Sequence, residues 1–232
     1  MFPYFGSKQN LVDYYPPPSC DKIIEPFAGS ARYALTYWER DVTLIDRSDM
    51  IIGIWRYLKQ ATVHDILAMK KIQNEHDYLN SGLISKEERD LLGFVLSRMT
   101  SAHPKRCVSK ISMAERPNKI NYRLNFIAKN LDKVRHWNLI EGDYTDAPNC
   151  KATWFVDPPY QLQGKHYKFK KVDYGELAAW CYGRSGQVIV CEQLGADWMP
   201  FKHLAIQRGS RKTTTDVMYT NQPFYHQQRL FQ

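Results

Sequence analysis

The stretch Ala152-Thr153-Trp154-Phe155-Val156-Asp157-Pro158-Pro159-Tyr160 places the narrowest limits on what this chain can fold into. Its first five residues, rich in β-branched and aromatic side chains, read as a buried strand. Two prolines then end the strand, because neither has an N–H for a ladder and each restricts the residue before it. A carboxylate and a phenol ring are thereby presented at the carboxyl end of a central strand, the edge at which open α/β sheets bind ligands. Alone, Asp-Pro-Pro also describes an ordinary strand followed by a proline turn. The other strand ends tip the balance towards a site.

Lys22-Ile23-Ile24-Glu25 reads as a first strand, followed by the turn Pro26-Phe27-Ala28-Gly29-Ser30 and a helix from Ala31 to Trp38. Strand, small-residue turn and helix together seat a nucleotide-like ligand over a helix start. The turn holds one glycine, and neither GxGxxG nor GxxxxGK[ST] occurs in the chain. Dinucleotides and P-loop nucleotides are therefore disfavoured, which leaves a ligand with a nucleoside but no phosphates. Val42-Thr43-Leu44-Ile45-Asp46 is a second strand, and its terminal acid stands where a ribose diol is held. The alternative is that Asp46 or Ser48 caps a helix beginning at Asp49. A third strand, Trp137 to Ile140, closes on Glu141-Gly142-Asp143-Tyr144. Asp143 is placed either to accept from an exocyclic amino group or to form a Gly-Asp turn. At the N-terminus, Tyr4-Phe5-Gly6-Ser7-Lys8 leads into a helical stretch from Gln9 to about Tyr15, with Ser7 as its N-cap.

From about Thr62 to Lys119 the α/β rhythm breaks. Thr62 opens one helix, and Ser85-x-x-Glu88 is a capping box ahead of Leu91, Leu92, Phe94, Val95 and Leu96. An irregular basic segment follows with Lys105, Arg106, Lys110, Arg116 and Lys119, and Arg123 extends it into a helix from Ile120 to Val134. Basic loops gain affinity for phosphates by releasing counterions, although a solvated surface produces the same pattern. Beyond Tyr160, Lys165, Lys168, Lys170 and Lys171 alternate with aromatic residues, as in a mobile lid over nucleic acid. Asp173 caps the next helix, Val188 to Val190 is a buried strand, and three more strands are expected near 203–207, 216–219 and 227–231. Arg211 and Lys212 lie in a basic turn between the first two of these.

Composition narrows the class further. A formal charge of +8 suggests a polyanionic partner, and 44% hydrophobic with 24% charged residues describes a globular chain. Five cysteines, an odd number without a CxxC pair, disfavour both a disulfide framework and a zinc site and fit a reducing cytosol. No apolar run approaches a membrane span and no signal-peptide pattern begins the chain, so no membrane partner is expected.

The pieces Tyr4 to Lys8, Glu25 to Ser30, Asp46, Gly142-Asp143-Tyr144 and Asp157-Pro158-Pro159-Tyr160, in that order, resemble the Dam-like family of S-adenosylmethionine-dependent DNA adenine-N6 methyltransferases. The resemblance covers most of the chain outside residues 60–118. It implies an α/β, Rossmann-like class I methyltransferase fold with a seven-stranded mixed sheet in the order 3-2-1-4-5-7-6, carried by the motifs just named. It further implies a catalytic domain of residues 1–55 and 121–232, with a helical target-recognition lobe at 56–120. S-adenosylmethionine is the implied cofactor and S-adenosylhomocysteine its product, with no metal. Glu25, Pro26, Phe27, Ala28, Gly29 and Ser30 would wrap the methionine end, Asp46 would hold the ribose, and Asp143 and Tyr144 would meet the cofactor adenine. Tyr4, Phe5, Gly6 and Lys8 would line the same pocket, with Lys8 close to cofactor or substrate base. Asp157 and the Pro158 carbonyl would accept from the substrate amino group, Pro159 would complete the motif, and Tyr160 would stack on the base. Duplex DNA is the implied partner of a monomer or weak dimer, and a restriction-enzyme partner is left open. Such small enzymes resemble phage-encoded or orphan bacterial methylases of the cytoplasm. Three alternatives remain: an RNA adenine methyltransferase, a cytosine-N4 enzyme (whose motif more often begins with Ser), and a silent cofactor- or nucleic-acid-binding module.

Overall fold

The computed structural model describes residues 1–4, 6–8, 11–69, 85–96, 117–162, 172–208 and 213–223. The strands in chain order are β1 (Lys22–Glu25), β2 (Asp41–Asp46), β3 (Asn138–Glu141), β4 (Ala152–Val156), β5 (Gly186–Gln193), β6 (Lys202–Arg208) and β7 (Thr213–Thr220). They form one seven-stranded sheet in the order β3-β2-β1-β4-β5-β7-β6, with β7 antiparallel to both neighbours and the other strands parallel. This is the expected Rossmann-like class I methyltransferase architecture, in the expected strand order. The helices are α1 (Arg32–Thr36), α2 (Asp49–Gln60), α3 (Val63–Ala68), α4 (Lys86–Leu96), α5 (Pro117–Lys129), α6 (Leu131–Val134) and α7 (Tyr174–Tyr182).

Parallel strands covered on both faces read as continuous apolar runs, and successive side chains go to opposite sides. Ile23 of β1 and Phe155 of β4 join a core with α1, α2, α4 and α5, whereas Ile24, Trp154 and Val156 join a second core with α7. Tyr33 of α1 stacks on Phe155 at 4.2 Å between ring centroids, and Trp154 meets Trp180 of α7 edge-on at 5.4 Å. β4 is thus pinned from both faces just before the chain reaches Asp157.

Helix α2 runs through residue 56, the expected start of the recognition lobe. Leu91, Phe94 and Val95 of α4 share their core with Phe2, Ile54 and Trp55, so α4 packs into the same core as the catalytic-domain residues expected at 1–55. Phe94 touches both Phe2 and Tyr4, with centroids at 5.5 and 5.8 Å. The expected capping box exists, Ser85 exchanging bonds with Glu88, and Thr62 makes a second one with Asp65. Thr62→Ala is expected to cost about 1 kcal/mol through loss of that cap, read as a lower denaturant midpoint with unchanged slope.

Local structure departs from the sequence reading in three places. The N-terminal helix is reduced, within the described residues, to a 3-10 turn at Val12–Tyr14, with Pro16 immediately beyond Tyr15. Ser7 lies next to the glycine turn, where its hydroxyl accepts from Ser30 Oγ at 3.2 Å. Ser48 makes no side-chain cap on α2; its backbone N–H instead donates to Asp46 Oδ1 at 2.9 Å. The expected strand at 227–231 lies outside the described residues. No described helix is long and apolar enough to cross a membrane, and Cys20, Cys150, Cys181 and Cys191 are free thiols.

Candidate active site

The strand order reverses direction between β1 and β4, and a crevice at such a switch point is where α/β sheets bind ligands. Asp157 follows β4 directly into this crevice, and Glu25 ends β1 beside it. Lys8 reaches in from the N-terminal segment. Its Nζ lies 2.6 Å from both carboxylate oxygens of Asp157, donates to the Gly6 carbonyl at 2.8 Å, and sits 4.9 Å from the centre of the Tyr160 ring. Lys8 is 5% exposed, while the Asp157 side chain keeps 22% of its surface. The crevice therefore opens onto the carboxylate rather than onto the ammonium. Pro158 and Pro159 are buried behind it.

The turn after β1 is held in left-handed backbone, with φ of 44° at Gly29 and 45° at Ala31. Tyr4 explains the glycine: a Cβ at Gly29 would lie 3.1 Å from its ring. The Gly29 N–H donates to Asp46 Oδ2 at 3.0 Å, and its carbonyl accepts from Trp55 Nε1 at 3.0 Å. Asp46 thus bridges the turn after β1 and the start of α2. The Ser30 carbonyl accepts from the Met1 nitrogen. Gly29→Ala is expected to cost roughly 1–2 kcal/mol of stability from backbone handedness alone, with displacement of Tyr4 added. Ala31→Gly is expected to be near neutral, because relief of the same backbone cost offsets the roughly 0.5–1 kcal/mol of extra chain entropy that glycine loses. Denaturant midpoints of the two variants check the contrast.

Burial dominates the electrostatics of the crevice. It pushes Glu25 up to about 8, against the Ala34 N–H that donates to Oε1 at 2.6 Å, and the nearby Asp157 charge adds to the rise. It pushes Asp46 up to about 6, against the N–H groups of Gly29 and Ser48. Asp157 is also raised by burial, with the Lys8 ammonium opposing. Tyr160 is raised well above the usual phenol range, and its hydroxyl is buried without a hydrogen-bond partner among the described residues. Apart from the one carboxylate that Lys8 pairs, negative charge is costly here until a further cation arrives.

Of the expected site residues, Gly6, Lys8, Asp157 and Tyr160 meet directly, Tyr4 and Asp46 both contact Gly29, Glu25 is buried at the end of β1, and Pro26, Phe27, Ala28 and Ser30 lie in the same turn as Gly29. Phe5 lies outside the described residues. Asp143 has both oxygens engaged: Oδ1 accepts from the Tyr144 N–H at 2.7 Å, capping a 3-10 turn at Tyr144–Asp146, and Oδ2 accepts from Arg47. Tyr144 is 8% exposed and stacks on Phe27, so most of its ring serves the core. Lys119 is exposed, and the Arg123 guanidinium donates to the Val95 carbonyl at the end of α4. Lys105, Arg106, Lys110, Arg116, Lys165, Lys168, Lys170, Lys171, Arg211 and Lys212 lie outside the described residues. Two residues beside the motif were missed by sequence reasoning. Glu192, 1% exposed, lies one residue before the end of β5, and Tyr174 opens α7 and donates to the Pro159 carbonyl at 2.6 Å. The available signal for Glu192 was an acid directly behind the apolar run Val188 to Cys191, the same arrangement as the other strand ends.

No family model and no curated protein matches the chain. Among solved structures, a "conserved hypothetical protein" of Streptococcus pyogenes is 10% identical, covers 87% of this chain and 86% of its own, and gives a TM-score of 0.35. A "putative methylase" of Haemophilus influenzae is 12% identical over 86% of this chain and 78% of its own, with a TM-score of 0.34. The functional reading therefore rests on the crevice itself.

Proposed function

We propose that the protein transfers the methyl group of S-adenosylmethionine to the N6 amino group of adenine in duplex DNA. One observation carries this reading: Asp157, directly behind β4, holds a nitrogen donor on both carboxylate oxygens with the Tyr160 ring alongside. The Lys8 ammonium fills the buried side of the carboxylate and leaves its open side for a second N–H donor. A flipped adenine has the complementary features, an exocyclic amino group that donates and a flat face that stacks.

The chemistry needs this arrangement. The lone pair of an adenine amino nitrogen is delocalised into the ring, so the nitrogen attacks poorly. Acceptors at Asp157 and the Pro158 carbonyl would draw on its N–H groups, favour the pyramidal nitrogen, and stabilise the positive charge that grows on it. The sulfonium of the cofactor supplies the electrophile when bound. The chain's own residues orient the two reactants in line and exclude water. Asp46, already holding Gly29 and Ser48, would take the ribose hydroxyls on its remaining lone pairs. Glu25 and the turn to Ser30 would enclose the methionine end, whose positive charges favour the ionised carboxyls that burial disfavours. Asp143, Tyr144 and Phe27 would bound the cofactor adenine.

Duplex DNA is favoured by the charge of +8 and by basic residues grouped at 105–123, 165–171 and 211–212. Residues 56–120 would then serve target recognition and residues 1–55 with 121–232 catalysis, in a monomer or weak dimer. Extracting the base costs a few kcal/mol, partly recovered by stacking on Tyr160. The test is incubation with labelled S-adenosylmethionine and either unmethylated duplex DNA or RNA, followed by nucleoside analysis. N6-methyladenine in DNA is the expected product. Label in RNA alone, or in neither, would overturn the proposal.

A further inference from the structure

The segment that carries Tyr160 is held from behind by side chains the proposed chemistry does not use. Glu192 accepts from the Gln161 backbone N–H at 3.1 Å and from Trp198 Nε1 at 3.0 Å, both on Oε2, and from the Gln193 N–H at 2.8 Å on Oε1. The Gln161 side chain is tied as well: its Nε2 donates to Asp197 Oδ1 at 3.1 Å, and its Oε1 accepts from the Asp197 N–H at 3.3 Å. Tyr174 fixes the Pro159 carbonyl at 2.6 Å, and its ring lies 5.4 Å from that of Trp198. The two residues on either side of Tyr160 are thus both anchored, one at its carbonyl and one at its N–H.

Glu192 forms no ion pair among the described residues, although it is 1% exposed. A carboxylate kept out of water without a counter-ion is costly, and the N–H donors around it supply the compensation. Burial raises its carboxyl, the Gln193, Gln161 and Trp198 donors oppose that rise, and the Asp157 charge adds to it. A neutral side chain would fill the same space at less cost. What the ionised group adds is strong, directional hold on the backbone next to the reacting centre.

We propose that Glu192, backed by Tyr174 and Trp198, is a positioning residue that locks Pro159 to Gln161 and so fixes the Tyr160 ring and the Asp157 carboxylate relative to each other while a base enters. The inference rests on the methyltransferase reading and deepens it. Glu192 touches no reacting atom and acts through the backbone. In-line transfer is sensitive to this kind of support.

The test is steady-state kinetics of the full chain with S-adenosylmethionine and duplex DNA for wild type, Glu192→Ala, Glu192→Gln and Tyr174→Phe, with amide hydrogen exchange read at Gln161. Glu192→Ala is expected to lower kcat by roughly 100-fold, the scale of a misplacement of about 1 Å, with both KM values unchanged. Its Gln161 amide exchanges faster than in wild type. Glu192→Gln recovers part of kcat, because its amide oxygen still accepts from Gln161 and Trp198. Tyr174→Phe, which removes a single bond, lowers kcat by a smaller factor, again without a change in KM. Unchanged kcat in active Glu192→Ala would overturn the positioning role alone. So would a fall in kcat accompanied by equal losses of thermal midpoint and cofactor affinity, with no recovery in Glu192→Gln. A wild-type protein that methylates no nucleic acid would overturn the methyltransferase reading and the positioning role together.

Discussion

Replacing Asp157 by alanine is expected to lower methyl transfer by roughly 100- to 1000-fold, the loss typical when one preorganised electrostatic group is removed from a reacting centre. Cofactor and DNA binding should persist, because Asp46, the glycine turn and the basic segments are untouched. The same variant has a second consequence. Lys8 is 5% exposed, and its ammonium is neutralised by Asp157 at 2.6 Å. Removing the carboxylate leaves a buried charge without its counter-ion, which costs roughly 3 kcal/mol or more. Lys8→Met should cost less, because Asp157 still reaches solvent through its exposed side. The double variant Asp157→Ala/Lys8→Met should recover stability without recovering transfer. Thermal midpoints and kcat, measured on the same three proteins, separate the two effects. Equal loss of stability in both single variants would contradict the asymmetry.

Asp46→Asn is expected to weaken cofactor binding by roughly 10- to 100-fold, since a hydrogen bond to a charged acceptor contributes about 1.5–3 kcal/mol. The pH dependence gives a sharper signature. In the free protein burial pushes Asp46 up from 3.8 to about 6. The folded state therefore holds the Asp46 proton more tightly than the unfolded chain, so this group's contribution to stability falls as pH rises from about 4 to about 6. Ribose hydroxyls donate to the ionised form, so the contribution of Asp46 to cofactor affinity should rise over the same window and level off above it. Titrating the dissociation constant of S-adenosylhomocysteine between pH 5 and 8 should reveal an inflection near 6 that Asp46→Asn abolishes, distinct from the rise towards pH 8 that Glu25 contributes and that Asp46→Asn retains. An affinity without that inflection in wild type, or the same inflection retained in Asp46→Asn, would remove Asp46 from the cofactor site.

The elements that the sequence discloses are those whose signals are local. An apolar run stopped by two prolines places β4 and its acid without ambiguity, and the Ser85 box announces its helix within four residues. The contact between Lys8 and Asp157 joins residues 149 apart in sequence, and no periodicity or spacing links them. Glu192 is hidden in the sequence because a charge ends an apolar pattern, so the pattern alone marks the strand only over Val188 to Val190. In the folded chain β5 continues to Gln193 because β7 pairs alongside it, with Glu192 opposite Val217. The sequence is compatible with two roles for Asp46, cap and ribose ligand. Asp46 holds the N–H groups of Ser48 and Gly29, and the first of these satisfies the helix start without Ser48's hydroxyl. Asp143 was likewise ambiguous, and its bonds to Tyr144 and Arg47 give it a structural task beside any contact with a ligand. The strand order itself came from resemblance rather than from pattern. Periodicity marks strands but says nothing about which neighbours they take.

A single-turnover experiment tests the proposed chemistry most directly. Protein loaded with methyl-labelled S-adenosylmethionine is mixed with excess duplex DNA, and wild type is compared with Asp157→Asn. Wild type should deliver its label to adenine N6, while Asp157→Asn keeps its label on the bound cofactor. Label on cytosine N4, or equal transfer by both proteins, would show that the carboxylate behind β4 does not do what its geometry suggests.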